Sequence, residues 1–386
     1  MEKRQNGVAG SFRAALVCDL DRLAHNYRIL SARLAAEGAG LIAVVKANAY
    51  GHGAAAIAAH LGALGATRFA VATLSEALSL RGVLPRAEIL VLGYVPPTEA
   101  RAAAEAAITL SVFDEAYAKA LSQNLAGRVL RVEIKLNSGM NRAGLALYDG
   151  TPTLAVEAAL RIAALRGICV SGVFSHLAAA DDPADPLTAE QILRFRRAVT
   201  ALARAGMPLP AHLAASAAVA RLGALGFPLA RVGLGLYGYL PEGCPSLGLL
   251  PVARLVAPVV QILTPPAGER VGYGGRYTTP PGARLGLLPI GYADGLPRLA
   301  EGGRVRIEGI PCPIVGRVSM DACTVLLPPA CRAPHPVATV FGEEGEDLLR
   351  LAAAADTIPY ELLARLGTRI DRKYTYADTD RNCNTE

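Results

Sequence analysis

Leu41-Ile42-Ala43-Val44-Val45-Lys46-Ala47-Asn48-Ala49-Tyr50-Gly51-His52-Gly53 opens with five apolar residues that run into one lysine, followed by a polar, glycine-rich turn. An apolar run bounded by turn signals reads as a buried strand. Such a strand carries the Lys46 ammonium to its end, where a fold can strip it of water. Desolvation lowers a lysine's pKa and makes its amine usable for a Schiff base or a proton transfer. A strand-end lysine can equally reach back to water on its flexible stem. Spacing alone leaves both readings open.

The same strand pattern recurs. Apolar runs at Phe69–Ala72, Ile89–Gly93, Thr109–Val112, Leu130–Leu136, Val170–Ser175, His212–Ala214 and Ala230–Val232 alternate with amphipathic stretches such as Asp21–Ala36, Ser75–Leu80, Thr98–Ala107, Thr188–Arg204 and Ser216–Leu222. Buried strands alternating with helices imply a parallel sheet. About eight such units in about 220 residues predict a (β/α)8 TIM-like barrel rather than an open sheet. After Pro241 the chain turns to short strand-like runs, at Val259–Leu263, Leu285–Pro289, Val305–Ile307, Ile314–Val318 and Thr324–Leu326, separated by Pro- and Gly-rich turns. The expected division is therefore a barrel over 14–240 and a mostly β C-terminal domain over 241–380, with helices at Leu348–Ala355 and Tyr360–Leu366.

Composition narrows the function. The net charge of +6 is spread over single arginines, without a basic stripe interleaved with aromatics, so nucleic-acid binding is not expected. No apolar run reaches the roughly 20 residues of a membrane span. Met1–Phe12 lacks the apolar centre of a secretory signal, and a cytoplasmic location is expected. The seven cysteines contain no CxxC spacing and read as free thiols, several of them buried. The six histidines make no metal-ligand pattern, and no metal is expected. The tail Thr379–Glu386 is polar and expected to fray.

Barrels gather their chemistry at the C-terminal ends of their strands. There the sequence places Lys46 and Tyr50, then Lys135 and Arg142, then His176, Ser216, Arg231 and the Gly233-Leu234-Gly235 turn. Together they would suit an anionic, aromatic, electrophilic group such as a phosphate-bearing pyridine. Ser216 could bind the phosphate or simply cap its helix. The glycines could admit a phosphate or only form a turn.

The motifs also resemble a known family. Ala43–Gly53 is similar to the cofactor-lysine motif of the alanine racemases, which are pyridoxal 5'-phosphate enzymes. Asp19-Leu20-Asp21 with His25-Asn26-Tyr27, Ser138–Gly144, Phe174–Ala178, Gly272-Tyr273-Gly274 with Tyr277, Ile290–Gly295, Gly316–Asp321 and Ile358–Glu361 resemble further family signatures in the same order. The resemblance implies a barrel, a β domain and a homodimer with shared active sites, taking a small amino acid, alanine, as substrate and supplying D-alanine for peptidoglycan. Lys46 would hold the cofactor and act as one base. Tyr273 of the partner subunit would act as the opposite base. Neither is basic enough at its ordinary pKa of about 10. Arg142 would hold the substrate carboxylate and the tyrosine's phenolate. Arg231 would meet the pyridine nitrogen and keep it unprotonated. Tyr50, His176, Ser216, Gly233, Leu234 and Tyr360 match cofactor contacts. Tyr292, Met320 and Asp321 match the substrate pocket and its entrance. Lys135 matches a lysine that the family often carries as a carbamate.

Three positions depart from the family pattern. Asn137-Ser138 stands where Asp-Thr is frequent, Ala215 where asparagine is usual, and Val232 where proline is common. Alternatives in keeping with the same motifs are a racemase of broader or serine specificity and a barrel-type pyridoxal-phosphate decarboxylase. The latter has no need of an opposed tyrosine base.

Overall fold

The computed structural model describes residues 13–148, 152–333, 336–344 and 346–376. Met1–Phe12, Thr379–Glu386 and Cys383 lie outside them. Contacts divide the chain into two units, Leu23–Leu250 and a second made of Met1–Arg22 with Pro251–Glu386.

The first unit is a closed barrel of eight parallel strands: β1 (Gly40–Val44), β2 (Arg68–Val71), β3 (Glu88–Val91), β4 (Thr109–Val112), β5 (Leu130–Asn137), β6 (Ile168–Phe174), β7 (Ala211–His212) and β8 (Leu229–Val232). Sequential strands pair in order, and β8 closes on β1 with Ala230 opposite Leu41. Each strand overlaps a run predicted from sequence, β7 by His212 alone. Helices of the unit include Ala54–Ala63, Leu74–Val83, Glu115–Gln123, Thr153–Ala163 and Leu187–Arg204. The last buries Gln191, Phe195, Ala198 and Leu202, an i, i+4, i+7 stripe that meets the core.

β5 departs from a uniformly apolar strand. Leu130, Val132, Ile134 and Leu136 are buried, while Arg131, Glu133 and Lys135 alternate with them. Successive strand residues point to opposite faces, so one polar row follows the other side of the strand from end to end. That row meets both ends of the barrel: Arg131 and Glu133 line a cavity among the strands' N-terminal ends, and Lys135 borders His176 and Arg142 at the other.

The second unit holds a six-stranded sheet, in the order Ile310–Pro313, Arg304–Ile307, Val337–Phe341, Ala253–Pro258, Ala15–Asp19, Asp371–Thr375. A three-stranded sheet joins Gln261–Leu263, Leu285–Leu288 and Cys323–Leu326, and Arg270–Val271 pairs with Tyr277–Thr278 as a hairpin. Two sequence expectations need correction here. Ile314–Val318 is not a strand. Only Ile314 makes an isolated bridge, to Val325, and the left-handed φ of Gly316 (71°) turns the chain away. The strand lies just before it at Ile310–Pro313, where two prolines are tolerated because the strand is at the sheet edge. The residues 14–22, expected in the barrel, instead contribute Ala15–Asp19 to the second unit, parallel to Asp371–Thr375 and antiparallel to Ala253–Pro258.

Candidate active site

Lys46 follows the last residues of β1 and is half-buried. The backbone then takes an unusual course. Ala47, Asn48, Ala49 and Tyr50 have φ of 52°, 54°, 55° and 51°, a left-handed turn built without glycine. Left-handed geometry costs an L-residue roughly 1–2 kcal/mol. The surroundings hold the turn from several sides. Glu76 Oε1 accepts from Ala47 N–H (2.6 Å), Asn48 Oδ1 accepts from Ala54 N–H (2.8 Å), and Ala49 N–H donates to Val45 O (2.8 Å). His52 donates from Nδ1 to the Ala49 and Tyr50 carbonyls and stacks on Tyr237 at 4.4 Å. Lys46 and Tyr50 are therefore aimed by a strained but braced segment.

Three more cations share the mouth with Lys46. Burial, then Arg142, then Arg231 lower the Lys46 pKa, with Glu76 opposing. Burial pushes Lys135 down to about 8, helped by Arg142, Arg231 and Lys46. Fully buried Arg231 falls to about 10, chiefly through desolvation, with Glu133 opposing and Arg142 adding. It stays charged at neutral pH. The His176 imidazole is driven to about 3 by burial and the same four cations, and is neutral. Among the described residues, Lys46, Lys135 and Arg142 have neither an ion pair nor a hydrogen bond from the side chain.

Arg231 is the best-held of the four. Nη1 bonds His212 Nδ1 and O, and Nη2 bonds the carbonyls of Ser175 (2.7 Å) and Leu213 (3.2 Å) and the ring of His176 (3.1 Å). None of these bonds uses Nε, which leaves that donor for a ligand. The Phe174 ring lies under both Arg231 (5.4 Å) and Lys135 (5.8 Å).

The Arg142 loop is organised by Asn137. Its Oδ1 accepts from the backbone N–H groups of Gly139 (3.2 Å) and Asn141 (2.9 Å), and its Nδ2 donates to Asn141 Oδ1 and Tyr148 Oη. Arg142 itself is exposed. Ser216 does not cap its helix. It is the first residue of Ser216–Leu222, Ala215 precedes it without a side-chain cap, and Ser216 Oγ accepts from the N–H groups of Gly233 (3.1 Å) and Gly235 (3.2 Å). A Cβ at Gly233 would lie 2.5 Å from Tyr50 Oη, so only glycine lets the tyrosine hydroxyl reach this backbone. Tyr50, Ser216 and Gly233 thus meet in a single polar cradle.

The second unit carries the remaining candidates. Tyr273 stands in the hairpin turn between Arg270–Val271 and Tyr277–Thr278, with left-handed glycines on either side (Gly272, 66°; Gly274, 75°), and is 69% exposed. Tyr292, Met320 and Asp321 form one cluster. Tyr292 N–H donates to Ser319 O (3.1 Å), Ala293 N–H to Met320 O (3.0 Å), and Arg13 to Asp321 O (2.9 Å). Buried Asp294 anchors the cluster through Arg13 (2.6 and 3.0 Å), Arg369 (3.3 Å) and the Gly291 N–H (2.9 Å). Tyr360 is half-buried on the helix Pro359–Ala364.

Family profiles described as "Alanine racemase, N-terminal domain" and "Alanine racemase, C-terminal domain" match residues 18–241 and 252–374. This chain belongs to the alanine racemase family. The alanine racemase of Corynebacterium glutamicum is 39% identical over 363 residues, covering 92% of this chain and 98% of that one. That of Beutenbergia cavernae is 41% identical over 377 residues, covering 94% and 98%. The solved structure of alanine racemase from Streptomyces coelicolor A3(2) superimposes with a TM-score of 0.85 at 37% identity, covering 94% of this chain and 98% of that one.

Alanine racemases are pyridoxal 5'-phosphate enzymes. The barrel mouth of this family member fits that cofactor. Four mutually repelling cations suit a phosphate ester, the Tyr50–Ser216–Gly233 cradle suits its phosphate, and the unused Nε of buried Arg231 suits a ring nitrogen. Sequence reasoning did not single out Glu76, Glu133, Phe174 or His212. The alternation along β5 carried the signal for Glu133. The others depend on contacts made across the barrel.

Proposed function

We propose that this alanine racemase interconverts L- and D-alanine by a two-base route, with Lys46 on one face of the substrate and Tyr273 of the partner subunit on the other. Bound pyridoxal phosphate supplies the electron sink that makes the substrate's Cα–H acidic. The observation that carries the reading is the lowered pKa of Lys46 at the end of β1, inside a ring of other cations. An amine that readily gives up its proton can take one from Cα and return it. Lys46 serves the D-face and Tyr273 the L-face, so one removes the proton while the other delivers one.

The remaining residues bind and orient. Tyr50, Ser216, Gly233, Leu234 and Tyr360 hold the phosphate, and His176 lies against the ring. Arg231 donates without being able to accept, so the ring nitrogen it meets stays unprotonated. That restrains side reactions such as transamination. Arg142 clamps the substrate carboxylate and the tyrosine's oxygen. Tyr292, Met320 and Asp321 shape the pocket and its entrance. Lys135, with its pKa near 8, offers a neutral amine to carbon dioxide. Forming the carbamate releases a proton and leaves an anion beside Arg142.

The functional unit is a homodimer with shared sites. Among the described residues no helix is long and apolar enough to cross a membrane. Action in the cytoplasm, with D-alanine supplied for peptidoglycan, follows from the family reading.

The test is loss of optical rotation from L-alanine, L-serine and larger L-amino acids with added pyridoxal phosphate. Racemisation of alanine supports the proposal, and racemisation of none overturns it. Mixed dimers of Lys46→Ala and Tyr273→Phe subunits should recover one working site of two. Complete inactivity would argue against sharing between subunits.

A further inference from the structure

The polar row of β5 connects the two ends of the barrel. At the N-terminal ends of the strands a cavity of about 420 Å³ is lined in part by Arg68, Glu88, Arg131, Glu133 and Ser171. Glu133 is 15% exposed, so solvent reaches its carboxylate from that side. Its Oε2 lies 2.7 Å from Nε2 of His212, which is sealed from solvent. The other ring nitrogen, Nδ1, lies 2.5 Å from Nη1 of Arg231.

These contacts admit a single proton arrangement. A guanidinium nitrogen donates and cannot accept. His212 Nδ1 must therefore present its lone pair to Arg231, and the ring proton sits on Nε2, where Glu133 accepts it. Burial disfavours a second proton on the ring, with Arg231 adding to that effect and Glu133 opposing it. The opposite tautomer would point one N–H at another across the contact with Arg231.

We propose that Glu133 is a positioning residue: by accepting the His212 Nε2 proton it fixes the imidazole tautomer, and the tautomer fixes the Arg231 guanidinium that faces the cofactor ring. The inference rests on Arg231 meeting that ring, as proposed above. It places a control on the cofactor's electronic state at the far end of the barrel, among residues that touch neither cofactor nor substrate.

Nitrogen NMR of the cofactor-free chain with ¹⁵N-histidine reads the tautomer directly. In the unaltered protein the proton should sit on Nε2 of His212; a proton on Nδ1 overturns the proposal without any variant. Glu133→Gln keeps an acceptor and should keep the tautomer. Glu133→Ala removes it and strands a buried N–H on Nε2. The ring should escape by giving up its contact with Arg231, which frees the proton to move toward Nδ1, and the Kd for pyridoxal phosphate should rise about tenfold, a common size for losing the support of a ligand-binding group. The absorbance band of the bound cofactor should move in the alanine variant and not in the glutamine variant. An unchanged tautomer in Glu133→Ala, or a Kd within about twofold of the original, overturns the proposal. Glu133→Leu, similar in volume and without an acceptor, makes the same comparison if the alanine variant does not fold. None of these readouts needs turnover. Failure to racemise alanine would therefore count against the proposed reaction and leave this inference standing.

Discussion

Glu76 Oε1 accepts a hydrogen bond from the backbone N–H of Ala47, the residue after Lys46, at 2.6 Å. The same carboxylate accepts from the N–H groups of Ala72 (2.8 Å) and Thr73 (3.2 Å), and Thr73 caps the helix Leu74–Val83 in return. One side chain thus ties the helix start to the strained left-handed turn that follows Lys46. Strain at a functional site persists only when its surroundings over-determine it.

Removing that brace should cost both stability and rate. Glu76→Ala leaves three backbone donors without their acceptor. We expect a loss of about 2–3 kcal/mol in urea unfolding, since hydrogen bonds to charged groups contribute more than neutral ones. We expect kcat to fall by about 100-fold, because a displacement near 1 Å at a reacting group has that effect. KM should change far less, because Glu76 holds the lysine's backbone rather than the substrate. Glu76→Gln keeps one acceptor oxygen but turns an amide N–H toward a backbone donor on the other side, so it should recover only part of either loss.

Lys135 should leave a signature in stability against pH. Its folded pKa is near 8, depressed below lysine's ordinary 10.5, so the folded chain binds fewer protons there than the unfolded chain. Stability rises with pH wherever the unfolded state holds more protons. The unfavourable contribution is fully present below pH 8 and is relieved between about pH 8 and 10.5. Buried thiols and tyrosines titrate in the same range with the opposite sign, so the comparison must be a difference. In cofactor-free, carbon-dioxide-free buffer, Lys135→Met should be more stable than the original chain at pH 7, and the gap should close as pH rises to 10.5. Urea midpoints across that range measure it.

The barrel was legible because most of its strands are apolar runs bounded by turn residues, with β5 alternating instead, and Lys46 was legible because it follows the first of them. The second unit was harder for particular reasons. Asp371–Thr375 is an edge strand of charged and polar residues with no apolar face to betray it. Ile310–Pro313 hides behind two prolines. Ala15–Asp19 is not among the strands expected from sequence, and its partners lie more than 230 residues away. The Glu133–His212 pair spans 79 residues and follows no local period, so the closure of the barrel had to be known before it could be seen.

Gly233 gives a test of the phosphate cradle. A Cβ there would meet Tyr50 Oη at 2.5 Å and Cζ at 3.0 Å. Gly233→Ala should therefore push the ring aside, destabilise the fold by about 1–3 kcal/mol as overpacked cores do, and weaken pyridoxal-phosphate binding. Tyr50→Phe removes the nearer clash. The double variant should be less damaged than the sum of the two single ones, and a thermodynamic cycle of melting and cofactor titration measures that coupling.

Asp294 anchors the second-unit cluster from a fully buried position between Arg13 and Arg369. Asp294→Ala leaves the Gly291 N–H without its acceptor and releases Arg13 and Arg369, which are part-exposed and can turn to solvent. It should lose about 1–3 kcal/mol in urea unfolding. It should also raise KM for alanine, because the loop carrying Tyr292 and the segment carrying Met320 and Asp321 are tied to it. Arg369→Lys, which keeps the charge, should be mild in both respects.

Asn137 organises the loop beside Lys135 and Arg142. Its amide donates to Asn141 Oδ1 (3.2 Å) and Tyr148 Oη (2.9 Å) while its oxygen holds two backbone N–H groups of the Arg142 loop. Asn137→Asp retains the acceptor and replaces the donor with a second carboxylate oxygen. Tyr148 can turn its hydroxyl to donate, but Asn141 must present its amide instead of its oxygen. The loop should survive, at a cost within about 1–2 kcal/mol. Electrostatically the change is larger. An anion beside Lys135 and Arg142 favours their charged forms, so the Lys135 pKa should climb from about 8 toward its ordinary value. A higher pKa leaves less neutral amine at pH 7. The carbamate fraction, read by ¹³C NMR under labelled carbon dioxide, should therefore fall in Asn137→Asp at a fixed carbon dioxide concentration. An unchanged fraction would mean that Asn137 shapes the loop without setting the charge on Lys135.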